Sequence, residues 1–366
     1  MEAVRRWWGW PAVGLFVGTR LATAVVAWFV QMSQPGRSYL GLITAWDAVW
    51  YHRIADEGYV VQPLGPSVLH PLQSYAFFPV VPMAARAVHV VTGLSIATSG
   101  VVVSMSCGLA GTVALWRLVQ GRFGDRVASD SVLLLLVAPY AFVFSLFYTE
   151  GPALLAVALC FLALDRRRWT YAGLAALAAG LIRPNGFLLV VPCAVAAFTA
   201  IRHDRQWKAL VAPLLAPLGF LAWVAFVGHR MGELGGYVTL QRDGLGAKVD
   251  FGVESLRAVV ELVTFQWDGV SRVLNAAALV AGIAGVVIAV RRRLDPTWIA
   301  YAVAVIGVTA LNQNQASGGR YLLLAFPVFV AFALAIPRRA FPLVVAMSAV
   351  VMGGLFFTVL ELRVTP

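Results

Sequence analysis

Residues 46–59 read WDAVWYHRIADEGY, a stretch in which aromatic side chains are interleaved with a histidine, an arginine and several carboxylates. The rest of the chain has few charges: 12% of its 366 residues are charged and 60% are hydrophobic, and the mean hydropathy is +0.81. In a soluble domain about a quarter of the residues are usually charged. The composition therefore predicts an all-α polytopic membrane protein in which this stretch lies in a loop between spans.

Basic residues predict the orientation of the chain in the membrane, because short clusters of them mark cytoplasmic ends. The clusters are Arg5–Arg6, Arg122 to Arg126, Arg166 to Arg168, Arg202 to Lys208, Arg291 to Arg293 and Arg338–Arg339. The apolar run from about Pro11 to Met32 favours an uncleaved first span over a signal peptide, since it is near the ~20 residues that a span needs. Residues 33–76 are then expected outside.

Residues 77–92 are apolar but short, and they contain prolines and Arg86. If both this segment and the full-length run at 95–119 crossed the membrane, Arg122 and Arg126 would lie outside, against the charge rule. We therefore expect 77–92 to be a juxtamembrane or re-entrant segment and 95–119 to be the second span.

The remaining apolar runs alternate so that each basic cluster lies inside. They lie near residues 130–147, 151–165, 169–183, 186–201, 208–228, 272–290, 296–311, 321–336 and 340–361. The prediction is a single integral-membrane domain, residues 1–366, with about eleven spans, a cytoplasmic N-terminus and an external C-terminus. Its main external loops are 33–76, with juxtamembrane helices, and 230–268.

The opening stretch has helical periodicity from Thr44 onward, with the tryptophans on one face and Asp47 and Tyr51 on the next. Tryptophan and tyrosine favour the membrane interface. Thr44 as N-cap and Asp47 at the third helical position would approximate a capping box, which is a structural role for the carboxylate. The alternative role is catalytic, since an aspartate within hydrogen-bond reach of a hydroxyl can act as a general base.

Glu150, Arg183 and Arg320 are further ionisable residues at the predicted external ends of spans. Such residues are costly at membrane depth and usually face a polar cavity or one another. Each could be a snorkelling side chain or a member of a buried Arg–Glu pair. Together with Asp47 they also suit a site for a lipid phosphate, because the arginine fork matches phosphate oxygens.

Five blocks of the sequence resemble, in their order, the PIG-V-like family of mannosyltransferases in the GT-C superfamily. The blocks are WDAVWYHRIADEGY at 46–59, AFFPVVP at 76–82, FSLFYTEGPALLA at 144–156, GLIRPNGFLL at 180–189 and GGRYLLLAFPV at 318–328. The likeness covers about residues 12–335, and its first two blocks are the most specific. It implies a GT-C-type bundle and an inverting transferase that uses a polyprenyl- or dolichyl-phosphate sugar.

The resemblance assigns the general-base role to Asp47 by its position in the first block. We further predict that Arg183 and Arg320 bind the donor phosphate. The predicted substrate-binding residues are Trp46, Tyr51, His70 and Glu150. No metal and no cofactor are expected, because nothing in the sequence resembles a His/Cys cage. A metal held by Asp47 with Asp56 or Glu57 is the minor alternative.

The chain is compact and rich in alanine, valine and arginine, which predicts a bacterial protein of the cell membrane with an external site. The expected donor is polyprenyl-phosphate mannose, and the acceptor, whether lipid, glycan or protein, stays open. No nucleic-acid partner is expected.

Two other classes remain open: a lipid or sugar transporter or flippase, and a non-catalytic membrane scaffold. The sequence contains no pair of inverted broken helices, and its polar residues are concentrated on one side of the membrane, both of which argue against a transporter. The presence of Asp47 at the position that the resemblance assigns to the base argues against a scaffold.

Overall fold

A computed structural model describes residues 9–34, 36–60, 72–244, 249–266, 269–311 and 318–364 of the chain. These residues form helices and connecting segments, and no β-strand is found among them. The prediction of an all-α protein is therefore confirmed. A single aliphatic and aromatic core runs through the helices from the first to the last.

The α-helices, in chain order, are α1 (Trp10–Ser33), α2 (Tyr39–Ile43), α3 (Asp47–Glu57), α4 (Val80–Thr92), α5 (Ile96–Leu136), α6 (Glu150–Asp165), α7 (Trp169–Ile182), α8 (Val190–Asp204), α9 (Val211–Leu215), α10 (Leu218–Met231), α11 (Gly236–Thr239), α12 (Val253–Val263), α13 (Val270–Arg291), α14 (Pro296–Ala310), α15 (Gly318–Leu322), α16 (Phe326–Ala335) and α17 (Phe341–Leu360). Short 3-10 helices lie at Gln73–Ala76, Ala141–Ser145, Pro184–Leu189 and Trp207–Leu210, and a π-helical turn lies at Leu240–Gly244.

Six helical stretches among the described residues are long and apolar enough to cross a membrane. They are Trp10–Ser33, Ile96–Leu136, Pro184–Asp204, Trp207–Met231, Val270–Arg291 and Phe341–Leu360. The chain is therefore a multi-pass membrane protein, while the number of eleven spans stays a prediction. Helix α4, at 13 residues, is shorter than a span needs, as expected for the segment 77–92.

The described part of the predicted external loop 230–268 contains α11, the π-helical turn and α12. Helix α12 exposes an apolar stripe of Leu256, Val260 and Val263. Its opposite face packs on the protein, where the Ser255 hydroxyl donates to the Ala310 carbonyl oxygen over 2.7 Å. Helix α12 is therefore amphipathic.

Helix α5 consists of two legs that meet at Gly124, whose φ of 82° and ψ of 172° break the helix. The first leg covers the predicted span at 95–119. The second leg ends at Leu136, so the prediction of a continuous span over 130–147 is wrong beyond that residue. Pro139 explains the end, because a proline inside a helix removes a hydrogen bond and clashes with the preceding turn.

Residues 137–149 form an irregular segment surrounded by helices, and its carbonyl oxygens accept hydrogen bonds from three other parts of the chain. Arg20 Nη1 donates to Ala141 O (2.7 Å), Arg20 Nη2 to Leu136 O (3.2 Å), Ser348 Oγ to Val137 O (2.8 Å) and Ser104 Oγ to Tyr148 O (2.7 Å). Irregular backbone at membrane depth is tolerated only where protein groups satisfy it in this way. These contacts fix the segment that leads to Glu150.

One end of the bundle gathers residues that the charge rule places inside. Arg122 Nη1 lies 2.8 Å from the Asp295 carboxylate, and the same guanidinium pairs with Asp165. The pairs join the end of the first leg of α5 to the end of α6 and the start of α14. Glu150, a carboxylate of the predicted site, lies at the other end of α6.

Glycines allow α5 and α6 to approach closely. A Cβ atom on Gly111 would lie 2.7 Å from the backbone nitrogen of Leu155, and one on Gly151 would lie 2.3 Å from the carbonyl oxygen of Ser104. Small residues commonly permit such close packing between membrane helices. The contact places Glu150, the first residue of α6, against the first leg of α5.

Gly111→Ala is expected to lower the free energy of unfolding by about 1–3 kcal/mol, because the new methyl group meets the backbone of α6. Gly121→Ala, in the same leg of α5, has open space within 4 Å. This control should be neutral or stabilising by up to about 1 kcal/mol, because alanine favours helix more than glycine does. Unfolding in mixed micelles measures both variants, and equal effects would contradict the close contact.

Candidate active site

The site begins at the turn between α2 and α3. Thr44 does not cap α3: it ends α2, and its hydroxyl donates to the Leu40 carbonyl oxygen over 2.7 Å. Trp46 precedes α3 with a φ of 60° and makes no side-chain cap. The predicted capping box is therefore wrong, and Asp47 is the first residue of its helix. A non-glycine residue at positive φ is an unusual conformation that clusters at functional sites.

Asp47 forms an ion pair with Arg320, whose Nη1 lies 2.7 Å from Asp47 Oδ2. The Asp47 side chain is 32% exposed, whereas that of Arg320 is 9% exposed. The Asp47 backbone N–H donates to the Tyr148 hydroxyl oxygen over 3.3 Å. Asp47 therefore lies at the accessible edge of the site with its cationic partner behind it.

Glu150 continues the network into the protein. Its Oε1 accepts a hydrogen bond from Arg183 Nη1 over 2.9 Å and lies 3.1 Å from Arg320 Nε. The side chains of Glu150 and Arg183 are 1% and 5% exposed. The four residues form one chain of alternating charge, Asp47–Arg320–Glu150–Arg183, which the sequence predicted as separate candidates and the fold brings together.

Breaks between helices position these side chains. Glu150 lies in the first turn of α6, where the helix dipole stabilises a carboxylate. Arg183 has extended backbone, with φ −162° and ψ 159°, because the following Pro184 disfavours helical geometry in the residue before it. Arg320 comes from α15, the five-residue helix that precedes α16.

Aromatic rings cover both guanidinium groups. The Arg320 guanidinium lies 5.1 Å from the centroid of Tyr148 and 5.7 Å from that of Tyr321, and Arg183 lies 5.0 Å from Tyr321. Cation–π contacts of this kind stabilise desolvated arginines by up to about 2 kcal/mol. The sequence reasoning missed both tyrosines as site residues, although each is close in sequence to a charged member of the network.

The network keeps hydrogen-bonding capacity that the described residues do not use. Glu150 Oε2 and Arg183 Nε are buried without a hydrogen-bond partner there, and Asp47 Oδ1 accepts no hydrogen bond from the same part of the chain. Most buried polar groups in proteins have a partner, so these atoms stand out among the residues that the structure describes.

The other predicted substrate-binding residues lie around Asp47. The Trp46 indole N–H donates to the Val359 carbonyl oxygen over 3.2 Å. Tyr51 is buried between Phe77 and Phe147. Burial raises the pKa of the Tyr51 phenol, and nearby Asp47 and Glu150 raise it further, so the hydroxyl stays protonated. His70 lies outside the described residues.

Asp56 and Glu57 do not join Asp47. They lie at the opposite end of α3, about 14–15 Å along the helix axis at ~1.5 Å per residue, and Glu57 pairs with Arg53 over 3.1 Å. Within the ranges that the structure describes, no group of three or more histidine, cysteine or carboxylate residues is placed to hold a metal ion. The carboxylate that shares the site with Asp47 is Glu150.

Comparison with known proteins finds one matching family model and solved structures with a similar fold. A family model described as dolichyl-phosphate-mannose-protein mannosyltransferase matches residues 70–229, which is less than half of the chain. The crystal structure of ArnT from Cupriavidus metallidurans bound to undecaprenyl phosphate is similar, with a TM-score of 0.54 and 17% identity over 92% of this chain. The crystal structure of the same ArnT in the apo state has a TM-score of 0.53 and 17% identity over 90% of this chain. No curated protein matches the sequence.

The chain spans 63% and 61% of the length of those two ArnT chains. At this level of identity the likeness shows the fold alone. The protein is thus a multi-pass membrane protein whose fold is similar to that of ArnT, and the network from Asp47 to Arg183 is its candidate active site.

Glu150→Ala is expected to lower the free energy of unfolding by about 3–5 kcal/mol, because it leaves two buried guanidinium groups without their shared carboxylate. Glu150→Gln keeps a hydrogen-bond acceptor and should lower the free energy of unfolding by less than Glu150→Ala does. Glu57→Ala is the control, since it breaks an exposed pair that contributes only about 0.3–0.5 kcal/mol. Denaturation in mixed micelles compares the three, and similar losses for Glu150→Ala and Glu57→Ala would contradict a buried network.

Proposed function

We propose that the protein is an inverting GT-C glycosyltransferase that moves a sugar from a polyprenyl-phosphate donor to an acceptor hydroxyl at the external face of a bacterial cell membrane. The resemblance to the PIG-V-like family and the mannosyltransferase family model support mannose as the sugar. The similarity to ArnT, whose structure contains undecaprenyl phosphate, supports the lipid class of the donor. The acceptor is a lipid, glycan or protein that offers a hydroxyl.

The observation that carries this proposal is the pairing of Asp47 with Arg320 at the accessible edge of the network, over 2.7 Å. A transferase of this type needs a base for the acceptor and a cation for the departing phosphate, close to each other. Asp47 offers Oδ1, which accepts no hydrogen bond from the described residues, to an acceptor hydroxyl, while Arg320 offers a fork that matches phosphate oxygens.

In the proposed reaction the acceptor oxygen attacks the anomeric carbon from the face opposite the phosphate. Asp47 takes the hydroxyl proton, the new C–O bond forms, and the bond from the anomeric carbon to the phosphate oxygen breaks. The leaving phosphate keeps the bonding electron pair and departs as an anion, so the step requires no separate general acid. The charge that develops on it is stabilised by Arg320, with Arg183 behind.

The role that we propose for Glu150 differs from the predicted role of a substrate-binding residue. Its carboxylate is fully enclosed and contacts both arginines. We therefore assign it to holding Arg183 and Arg320 in place. Trp46, Tyr51 and His70 stay predicted as substrate-binding residues.

Arg320→Ala is expected to weaken donor binding by about 1.5–3 kcal/mol, the range for hydrogen bonds to charged groups. Arg320→Lys should restore only part of the affinity, because an ammonium group cannot offer the fork. Arg53→Ala, on the exposed side of α3, is the control and should leave donor affinity unchanged. Binding of undecaprenyl phosphate to purified variants measures the effect, and normal affinity in a folded Arg320→Ala variant would remove this residue from the phosphate site.

Asp47→Asn is expected to reduce the rate of sugar transfer by about 10²–10⁴-fold, the contribution of general acid–base catalysis. Folding should be retained, because the amide is nearly isosteric. Donor affinity should be retained or increased, since the change removes a negative charge beside the phosphate. The assay is transfer from a short-chain polyprenyl-phosphate mannose to a total extract of membrane lipids and proteins.

Asp56→Asn is the matched control, since it makes the same chemical change at the exposed end of the same helix. It should leave the transfer rate unchanged. Full activity in Asp47→Asn would exclude this residue as the base. Failure of the wild-type protein to transfer sugar from any polyprenyl-phosphate donor would instead favour a transporter or a scaffold.

A further inference from the structure

A narrow cavity opens toward lipid beside the site, between α13 and α16. It encloses about 100 Å³, and we call it the α13–α16 slot. Its lining residues include Tyr140, Ala278, Gly282, Gly319, Leu323 and Phe329. Apart from the hydroxyl of Tyr140, these side chains are apolar, so the slot suits a hydrocarbon ligand.

Glycines define both ends of the slot. At the end nearer Arg320, which we call the upper end, a Cβ atom on Gly319 would lie 2.2 Å from the Tyr140 ring. The ring therefore packs directly on the backbone next to Arg320. Further along α13, a Cβ atom on Gly285 would lie 2.5 Å from the Val328 side chain. Helices α13 and α16 are therefore in contact at Gly285 and separated between Gly285 and the upper end. This separation leaves the slot open along exposed Ala281.

The slot runs along α13, away from the level of Arg320. The Gly319 backbone N–H donates to the Asn275 side-chain oxygen over 2.7 Å, which places these two residues at the same height. Gly282 follows Asn275 by seven residues in α13, or about 10 Å at ~1.5 Å per residue. A chain attached to a phosphate at Arg320 would therefore run down the slot toward the hydrocarbon core.

Tyr140 supplies a polar group at the upper end. Its side chain is 1% exposed, and its hydroxyl has no hydrogen-bond partner among the residues that the structure describes. Leaving a buried hydroxyl unpaired costs about 1–3 kcal/mol by mutational measures. Such a group at the junction of an apolar slot and a cationic site is suited to donate a hydrogen bond to a ligand.

We propose that the α13–α16 slot holds the phosphate-proximal isoprene units of the donor and that the Tyr140 hydroxyl donates to a phosphate oxygen. This inference rests on the proposed function. Lipid tails are as apolar as the slot, so the slot selects a chain by close packing rather than by removal from water. Recognition of the chain and of its phosphate is then coupled through Tyr140 and Arg320, which flank Gly319.

Tyr140→Phe separates this role from a structural one. In the free protein the change removes a hydroxyl that has no hydrogen-bond partner among the described residues, so the free energy of unfolding should be unchanged or higher. The dissociation constant of undecaprenyl phosphate should rise at least about tenfold, the lower end for a hydrogen bond to a charged group. Unchanged affinity, or a stability loss without an affinity loss, would overturn the assignment of Tyr140.

Ala278→Phe fills the slot and tests whether the slot binds the isoprenoid chain of the donor. Mannosyl-phosphate donors with one, two, three and eleven isoprene units would be compared by their KM values. The wild-type protein should favour two or more units over one, whereas the variant should lose this preference, with the KM of the longer donors raised about tenfold. An unchanged chain-length preference in a folded Ala278→Phe variant would overturn the slot as the chain site.

A second lipid-facing crevice provides the matched control. It encloses about 370 Å³ between α1 and α5, and Ala24 lies in its wall. Ala24→Phe should leave the chain-length preference intact, and loss of the preference there alone would place the donor chain in that crevice and overturn the proposal. If the wild-type protein transfers no sugar, the proposed function fails. The binding of undecaprenyl phosphate to Tyr140→Phe still tests the role of the Tyr140 hydroxyl, and its binding to Ala278→Phe, which should be about tenfold weaker than to the wild type, still tests the slot.

Discussion

Glu150 holds two arginines that would otherwise repel each other inside a membrane protein. One of its oxygens lies 2.9 Å from Arg183 and 3.1 Å from Arg320. Removing a guanidinium group from water is costly, and the cost is offset only when an opposite charge lies close in a fixed geometry. Every other feature of the site depends on this carboxylate, because it directs Arg320 toward Asp47 and keeps Arg183 behind it.

The network forms where several helices begin, end or are short. Asp47 and Glu150 are the first residues of their helices, Arg183 lies between two helices, and Arg320 comes from a five-residue helix. The largest interruption, residues 137–149, is held by hydrogen bonds from other helices, including those of Arg20. A buried arginine far from the site thus supports the backbone that carries Tyr148 and Glu150.

Composition and charge were enough to predict a multi-pass helical protein and to select the four charged residues, because isolated charges in apolar sequence have few stable environments. Predictions from local sequence pattern were wrong where tertiary contacts determine the start or end of a helix. Thr44 looked like an N-cap, yet the chain turns at Trp46, whose indole bonds to α17. The end of the helix at Leu136 depends on Pro139 together with distant donors. Tyr140 was not selected from the sequence, because only the structure shows that its ring packs on Gly319 and that its hydroxyl has no partner among the residues described.

In the proposed reaction, direct displacement by an acceptor that Asp47 deprotonates would fix the stereochemistry of the product. The decisive measurement is the anomeric configuration of the glycoside that the purified protein forms from a β-linked polyprenyl-phosphate mannose, read by NMR. The proposed pairing of a base with a phosphate-binding arginine predicts an α-linked product, since the acceptor would attack opposite the leaving group. A β-linked product would contradict it, because retention requires a covalent intermediate on a nucleophile and a second displacement.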